Sequence, residues 1–359
     1  MKAPIGKTRT RAVLSALVLV LFSLGSLAAE TVVVVAPRVV TEAVRYDTDD
    51  PAIWINAADP AASLVIGTDK DADGALYVFD LQGKIQQDKV VRGLLRPNNV
   101  DIAYGVMVAG KRVDVAVVAE RYAHRLRVYR LPDMAPIDGG GIPVFENERA
   151  RDVMGIALYT RPSDGALFAI VSRSDAFAPT SGYLHQYRLA DDGTGQIQGL
   201  FTRAFGTWSG LKEIEAIAVD NELGYVYYSD ENYGVRKYHA DPLAEDAEEM
   251  LAEFGKTDFT EDQEGLSIYK RNDGTGYLFV SNQQADEFNV YAREGIPGNP
   301  HEHALLARVK LATAESDGSD IIPVALPGFP GGLFVAMSTD RTFQFNAVED
   351  ILRAANLTP

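Results

Sequence analysis

Six short apolar runs, almost evenly spaced along the chain, carry an aromatic residue near their end. The steps between these aromatic anchors are 50, 58, 51, 53 and 54 residues. The anchors are Phe79, Tyr129, Tyr187, Tyr238, Tyr291 and Phe345. Two further β-rich runs precede each anchor, as DPAIWIN and SLVIGTD precede Phe79. Gly, Asp, Asn and Pro separate the runs, which is the composition that turns require.

A repeat of about fifty residues, each with three or four short strands, is typical of the blades of a β-propeller. The sequence therefore predicts an all-β fold, a six-bladed β-propeller that forms a single domain over residues 29–359. A β-sandwich would not repeat in this way, and no linker segment divides the chain into two domains. Helix is predicted only for the acidic segment 242–254 and for the C-terminal VEDILRAA.

The stretch GTDKDADGALYVFD, residues 67–80, allows two interpretations. Asp69, Asp71, Asp73 and Asp80 fit the spacing of a calcium-binding EF-hand loop. Helices flank such a loop, whereas here the β-rich SLVIGT enters and ALYVFDL leaves. We therefore predict a β-hairpin, whose Asp71–Asp73 end retains the capacity to hold a weak surface ion.

The first 28 residues have the features of a secretory signal peptide. Four basic residues precede the apolar run AVLSALVLVLFSL, and the small residues of GSLAAE follow it. The run is short for a membrane span and no basic segment follows it, so export is favoured over a membrane anchor. The predicted address is the periplasm or the medium, with no membrane insertion after cleavage.

The charge of the chain narrows the choice of partners. Once residues 1–28 are removed, 30 basic and 50 acidic residues leave a formal charge of −20. Such a surface repels nucleic acid and anionic lipid and attracts cations. The sequence contains no Cys, so packing or bound ions, and not disulfides, must stabilise an exported protein.

Charged residues gather at the strand ends that a propeller brings to one end of its central channel. The first strands contribute Asp49, Asp50, Asn98, Asn99, Asp101, Glu213, Glu215, Asp262, Glu264, Asp317 and Asp320. The ends of the second strands contribute Asp69, Lys70, Glu120, Arg121, Ser172, Arg173, Asp230, Glu231, Asn282 and Gln283. So many carboxylates repel one another unless cations lie among them, and oxygen ligands favour several calcium ions over zinc. The interspersed bases indicate an anionic ligand. Alternatively, the acids cap turns and the bases pair with them.

Several stretches, in order along the chain, carry a more specific resemblance. They are DDPAIW (49–54), VIGTDK (65–70), RPNNVDI (96–102), IEAIAVD with YYSDEN, and DQEGLSIYKRNDGTGYLFVSNQ (262–283). Together they resemble the β-propeller phytases over nearly all of the mature chain, which marks it as a divergent member of that family. Those enzymes are secreted and bacterial, and they use calcium to release phosphate from phytate (myo-inositol hexakisphosphate).

The resemblance implies roles for individual residues. The implied catalytic groups are Lys70, Arg121, Glu215 and Glu231, and the implied substrate contacts are Asn98, Asn99 and Arg173. The implied calcium ligands are Asp50, Val100, Glu215, Glu231, Asp262, Glu264 and Asp317, of which Asp50 and Val100 belong to a structural site. In the implied mechanism, calcium ions activate a bridging water that attacks phosphorus in line, while Lys70 and Arg121 stabilise the phosphoryl oxygens.

The chain departs from the family pattern where a neighbouring phosphate is held. Asp71 replaces a second lysine, Met154 replaces a tyrosine, and Arg173 or Ser174 replaces the lysine of the third blade. Because these changes remove favourable charge near an anion, we expect weak or altered phytate binding.

Three functions are compatible with this sequence. The first is a monomeric, calcium-dependent phosphomonoesterase that acts on phytate or a lower inositol phosphate. The second is a non-catalytic, calcium-stabilised propeller that binds a phosphorylated ligand or a partner, an interpretation that Asp71 and Met154 favour. The third is a lactonase-like hydrolase with calcium in its channel, which has no need of Lys70 or Arg121.

Overall fold

Six sheets follow one another along the chain in the computed structural model, which describes residues 1–2, 33–174 and 177–359. The first strand of each sheet contacts that of the next sheet, and the first strand of the sixth contacts that of the first. This closed ring confirms the predicted all-β, six-bladed β-propeller. Apart from Met1 and Lys2, the predicted signal peptide (residues 1–28) lies outside the described residues.

The first two strands of the chain, β1 (Val34–Val35) and β2 (Val39–Val40), precede the first blade. The first blade contains β3 (Thr48–Trp54), β4 (Leu64–Asp69), β5 (Gly74–Phe79) and β6 (Val91–Leu94). The second contains β7 (Pro97–Val108), β8 (Lys111–Glu120), β9 (Arg125–Leu131), β10 (Ala135–Pro136) and β11 (Ile142–Pro143). The third contains β12 (Val153–Thr160), β13 (Leu167–Arg173), β14 (Ser181–Asp191) and β15 (Ile197–Thr207).

The second half of the ring repeats this plan. The fourth blade contains β16 (Ile217–Asp220), β17 (Tyr225–Asp230), β18 (Gly234–His239) and β19 (Ala252–Phe254). The fifth contains β20 (Gln263–Lys270), β21 (Gly276–Asn282), β22 (Glu287–Ala292) and β23 (Leu305–Leu311). The sixth contains β24 (Ser319–Ile322), β25 (Leu333–Ser338) and β26 (Thr342–Ala347), after which helix α1 (Val348–Ala354) begins.

The N-terminal strands complete the last two blades. β2 pairs with β26 as the fourth strand of the sixth blade, and β1 pairs in parallel with the outer strand β23 of the fifth. The chain therefore closes its own ring, because segments from its two ends share one sheet. The edge strand β26 is covered by this pairing.

The apolar core of the described chain consists of six clusters, and each lies between two neighbouring blades. All six aromatic anchors lie on the third strand of their blade and are buried. Phe79, for example, packs edge-on against Phe343 of the sixth blade, with ring centroids 5.9 Å apart. The repeated aromatic residue thus holds blade against blade, which explains its period in the sequence.

Residues 67–80 form the predicted hairpin. β4 and β5 pair in antiparallel fashion, with Asp69 opposite Ala75, and the turn lies between them. Asp71 Oδ1 accepts the backbone N–H of Asp73 at 3.0 Å, as turn residues commonly do. Strands on both sides exclude an EF-hand at this place.

The helix predicted for residues 242–254 is wrong. The segment forms successive turns and then β19, whose Phe254 packs into the cluster between the fourth and fifth blades. The fourth blade needs an outer strand, and this requirement overrides the helix propensity of the acidic segment. The C-terminal helix is confirmed as α1. Within the described residues, no helix has the length and apolarity that a membrane span requires.

Candidate active site

The residue that follows the second strand occupies the same place in all six blades. Its backbone N–H donates to a carbonyl just before the first strand of the same blade, at 2.7–3.2 Å. The six bonds run from Lys70 to Asp47, Arg121 to Arg96, Ser174 to Asp152, Glu231 to Glu213, Gln283 to Asp262 and Thr339 to Ala314. This repeated bond places equivalent side chains at one end of the ring.

The last residue of the second strand, by contrast, serves the structure. Asp69, Glu120, Asp230 and Asn282 each accept a backbone N–H from a preceding loop, at 2.8–2.9 Å. In the third blade this position is Arg173. The pattern therefore separates a structural residue from the rim residue directly after it.

Four first strands begin with an irregular register at the same end of the ring. The shifts lie between Thr48 and Pro51, Pro97 and Val100, Val153 and Ile156, and Gln263 and Leu266. They enclose Asp49–Asp50, Asn98–Asn99, Met154–Gly155 and Glu264–Gly265. A β-bulge of this kind turns a side chain away from the regular alternation, so it decides which member of each pair faces the rim.

Lys70 joins the first and sixth blades at the rim. Its Nζ lies 2.5 Å from Asp49 Oδ1 and 3.1 Å from Asp317 Oδ2. Asp317 also accepts a hydrogen bond from the Gln283 side chain of the fifth blade. Burial opposes the charged form of Lys70, but its acidic neighbours raise its pKa above the ordinary value. Lys70 is therefore a cation at pH 7.

Asn98 links the second blade to the first blade and to the fourth, which is not its neighbour in the ring. Its Nδ2 donates to Glu215 Oε1 of the fourth blade at 2.9 Å and to Asp49 Oδ2 of the first blade at 3.3 Å. Asn98 is fully buried. The channel is thus narrow enough at this end for one side chain to reach from the second blade to the fourth.

A second group of acids surrounds Lys212, which lies in the loop between the third and fourth blades. Its Nζ lies 2.7 Å from Asp262 Oδ2, 2.9 Å from Glu231 Oε2 and 3.6 Å from Glu264 Oε1. Asp262 also accepts hydrogen bonds from Asn232 at 3.0 Å and from Gln284 at 2.8 Å.

Arg121 occupies the rim between the second and third blades. Its guanidinium donates to Ser174 Oγ at 2.7 Å and lies 3.5 Å from Glu213 Oε1. The Ser174 hydroxyl in turn hydrogen-bonds the same Glu213 carboxylate. Arg121 is mostly buried, with 13% of its side chain exposed.

We call these residues the rim cluster. It consists of Asp49, Lys70, Asn98, Arg121, Ser174, Lys212, Glu213, Glu215, Glu231, Asp262, Glu264, Gln283 and Asp317. The structure thus brings together, from all six blades, eight of the predicted site residues and the direct neighbours of two more, Asp49 and Ser174. Sequence reasoning missed Lys212, and it gave no role to Asp49, Glu213 or Gln283.

Two buried acids of the rim cluster, Glu264 and Glu231, resist ionisation. Burial, with the charges of Glu215, Asp317 and Glu231, raises the pKa of Glu264 to about 11. Burial also raises the pKa of Glu231 to about 8, against the opposing bond from Lys212. A bound cation would stabilise the charged form of such carboxylates.

The oxygen atoms fit a hard divalent cation. Oxygens of Glu213, Glu215 and Glu231 lie within 4.8 Å of one another, and so do oxygens of Glu231, Asp262 and Glu264. Glu231 belongs to both groups, and its side chain is 1% exposed. Within the described residues its Oε1 accepts no hydrogen bond and its Oε2 contacts only the Lys212 ammonium, so a ligand position is open at Oε1. Carboxylate oxygens in irregular number suit calcium.

Asp50, Val100 and Asn99 lie inside the channel and not in the rim cluster. Asp50 Oδ2 accepts the N–H of Val100 at 3.0 Å, and all three residues line a cavity of about 290 Å³ that first strands of all six blades enclose. Burial raises the pKa of Asp101 to about 7 and that of Asp320 to about 6 in the same cavity. This second group of acids is separate from the rim.

Arg173 does not join the rim cluster. It is fully buried, and it donates to the carbonyls of Tyr183 at 3.1 Å and Gly182 at 2.9 Å. Its guanidinium also lies over the ring of Phe145, 4.3 Å from the centroid. Its role in substrate binding stays a prediction that its position does not support, because Ser174 holds the equivalent rim position. The sequence offered Arg173 or Ser174 for this lysine position, and aligning the repeats on the end of the second strand would have selected Ser174.

Known proteins resemble this chain in sequence. A family model described as Phytase matches residues 7–354. The "3-phytase" of Bacillus subtilis (strain 168) is 30% identical over 308 residues, which cover 84% of this chain and 76% of that protein. A solved structure, "Kuenenia stuttgartiensis Hydrazine Synthase", matches with a TM-score of 0.48 and 12% identity over 83% of each chain. A likeness as distant as the last one says nothing about function.

Proposed function

This chain belongs to the phytase family, and from that premise we propose that it is a secreted, calcium-dependent phosphomonoesterase. Its substrate is phytate or a lower inositol phosphate. The observation that carries the proposal is the rim cluster, in which Lys70 and Arg121 lie among carboxylates that blades distant in sequence contribute. The family membership supports a phosphatase-type hydrolase, and the cluster supports the requirement for calcium.

The acids of the rim cluster would hold the metal. Glu231 belongs to both groups of acids, so it would help to hold a cation in either group. When bound, calcium would supply positive charge to the phosphoryl oxygens and help a water molecule to lose a proton. Asp50, with the backbone near Val100, would hold a structural ion deeper in the channel.

The basic residues would hold the phosphate that is cleaved. Lys70 is fixed by Asp49 and Asp317, and Arg121 is fixed by Ser174 and Glu213. Fixed cations stabilise the charge that spreads over the phosphoryl oxygens in the transition state, without reorganising as the reaction proceeds. Asn98, with its amide between two carboxylates, would orient acids and phosphate together.

Binding of a second phosphate is expected to be weak. Asp71 turns its carboxylate into the β4–β5 hairpin, Met154 is buried without a polar group, and Ser174 carries no charge. These are the places where the family usually has two lysines and a tyrosine. The missing contacts to a second phosphate therefore weaken the binding of phytate more than the binding of an inositol phosphate with fewer phosphates.

The test is phosphate release from phytate and from lower inositol phosphates by the mature chain, in calcium and in chelator. We expect release only with calcium and expect its loss in Glu231→Gln. Lys70→Ala should lower kcat/KM by about 10²–10³-fold. Lys256→Ala is the control, because Lys256 is a half-exposed lysine that pairs with Glu253 outside the rim cluster.

A folded, calcium-binding protein that releases phosphate from none of these compounds would contradict the proposal. It would favour the second candidate, a non-catalytic propeller that binds a phosphorylated ligand or a partner. The uncharged Ser174 and the buried Met154 are the observations in favour of that candidate.

A further inference from the structure

Lys212 occupies the place of a cation among three carboxylates. Its ammonium contacts Asp262 at 2.7 Å and Glu231 at 2.9 Å, with Glu264 at 3.6 Å. These acids are also one of the two groups whose oxygens lie within 4.8 Å of one another. In residues 33–174 and 177–359, no second Lys or Arg forms an ion pair with any of them. The chain thus supplies its own charge at a candidate metal site.

The ammonium leaves part of this group unsatisfied. Glu231 is buried, and in the described part of the chain its Oε1 accepts no hydrogen bond. Asp262, by comparison, accepts bonds from Asn232 and Gln284 as well as from Lys212. A divalent cation has twice the charge and binds carboxylate oxygens from several directions, so it would satisfy Glu231 better than the lysine does.

The Lys212 side chain has the freedom to leave while its backbone stays in place. Trp208 Nε1 donates to the carbonyl of Lys212 at 3.0 Å, and Trp208 packs against Tyr183. Ser209 of the same loop donates to Asp230 through both its N–H, at 2.9 Å, and its hydroxyl, at 2.7 Å. The Lys212 side chain is nevertheless 40% exposed. Because the backbone is held and the side chain is partly exposed, the Lys212 ammonium can move away and a divalent cation can take its place.

We propose that Lys212 is an internal counter-cation that competes with a divalent cation for the carboxylates of Glu231, Asp262 and Glu264. Without the divalent cation, Lys212 neutralises part of the acidic group. When the divalent cation enters, repulsion displaces the lysine toward the mouth of the channel, where its charge faces an incoming phosphate. The inference rests on the cation site of the proposed function and adds a residue that sets how readily that site fills.

Calcium titration calorimetry on the metal-free protein tests the competition. Lys212→Met removes the charge and keeps an apolar stem, so we expect one site to bind calcium at least tenfold more tightly than in the unchanged protein. Lys212→Arg retains a cation and should restore an affinity near the original one. Lys256→Met is the matched control, because Lys256 is similarly exposed (44%) and pairs with Glu253 instead. Equal calcium affinity in Lys212→Met and the unchanged protein would overturn the proposal.

Chemical labelling tests the displacement in the unchanged protein, so it does not depend on the folding of a variant. Acetic anhydride modifies lysines according to their accessibility, and mass spectrometry reads each site. We expect Lys212 to react several-fold faster with calcium than with chelator, while the rate at Lys256 stays constant. A rate at Lys212 that calcium leaves unchanged contradicts the displacement.

The two proposals fail in different ways. If Lys212→Met binds calcium more tightly but neither protein releases phosphate, the result supports the competition between Lys212 and calcium and contradicts the enzymatic function. If the unchanged protein releases phosphate but binds calcium no more weakly than Lys212→Met does, the result supports the enzymatic function and contradicts the competition.

Discussion

At the scale of the residue, two adjacent residues at the end of a second strand have different roles, because one bonds the backbone and the next joins the rim cluster. Arg173 is buried and donates to backbone carbonyls, whereas Ser174 reaches Arg121 and Glu213 in the rim cluster. The same division separates Asp69 from Lys70 in the first blade. One position therefore decides whether a charge stabilises a turn or faces the channel.

The rim position of the third blade lacks a charge, and restoring one should strengthen phosphate binding. Ser174→Lys would place an ammonium beside Arg121 and the Glu213 carboxylate, so we expect KM for phytate to fall by about 3- to 10-fold. Steady-state kinetics at fixed calcium measure this effect. Ser174→Ala is the control and should not lower KM; an unchanged KM in Ser174→Lys speaks against a phosphate contact in this blade.

At the scale of the element, two devices bring the first strands together at the rim. The bulges turn single side chains toward the channel, and glycines permit close approach. A Cβ on Gly155 would lie 1.8 Å from the carbonyl oxygen of Glu215, and one on Gly318 would lie 2.5 Å from that of Asp49. The backbone beside these two rim acids therefore requires glycine in the neighbouring blade, within β12 at Gly155 and just before β24 at Gly318.

The N-terminal strand β2 should be essential to the stability of the ring. A chain that begins at Glu42 lacks the pairing with β26 and the ion pairs of Arg38 with Glu349 and Asp350. Compared with a chain that begins at Ala36, which lacks β1 but keeps β2, we expect it to lose on the order of 3 kcal/mol of unfolding free energy. Chemical denaturation measures the loss, and light scattering should detect association through the uncovered edge. Identical denaturation midpoints for the two chains would exclude this role.

At the scale of the whole molecule, closure creates both the core and the site. Each apolar cluster lies between neighbouring blades, so no blade buries its apolar faces alone. The same closure forces acids from separate blades into one buried group. The propeller thus concentrates negative charge at one end, and a cation is the natural means of offsetting it.

The metal-free protein should lose stability as pH rises. The folded chain holds protons on Glu231 (pKa about 8) and Glu264 (pKa about 11) that the unfolded chain has already released, so the unfolding free energy falls with increasing pH. The buried His185 and His303, with pKa values of about 4, have the opposite effect, but only below about pH 6.5.

Melting temperatures between about pH 6.5 and 7.5 report mainly on the carboxylates, because Lys237, whose pKa burial lowers to about 8, has the opposite effect at higher pH. We expect a decrease of several degrees in chelator and a much smaller change in calcium, which keeps the acids ionised throughout. Glu231→Gln should weaken the dependence in chelator. A melting temperature that stays level or rises over this range without calcium would contradict the assignment of the shifted groups.

The sequence by itself determined the number of blades, their order and the strand that carries each aromatic anchor. The reason is that an inter-blade contact repeats with the blade, and a repeated contact leaves a period in the sequence. It also indicated the acids and bases at the strand ends, including Glu215, Glu231 and Lys70, because their positions recur. The β-rich runs on both sides of residues 67–80 were sufficient to exclude an EF-hand, because helices flank the loop of an EF-hand.

Only the tertiary structure decided which of two adjacent residues faces the rim. Bulges break the alternation at Asp49–Asp50, and the ring brings Lys212 from the loop between the third and fourth blades to the acids Glu231, Asp262 and Glu264. The outer strand at Ala252–Phe254 likewise follows from the needs of the fourth blade and not from the propensity of its residues. Such placements depend on contacts between segments far apart in the chain, which a local pattern does not record.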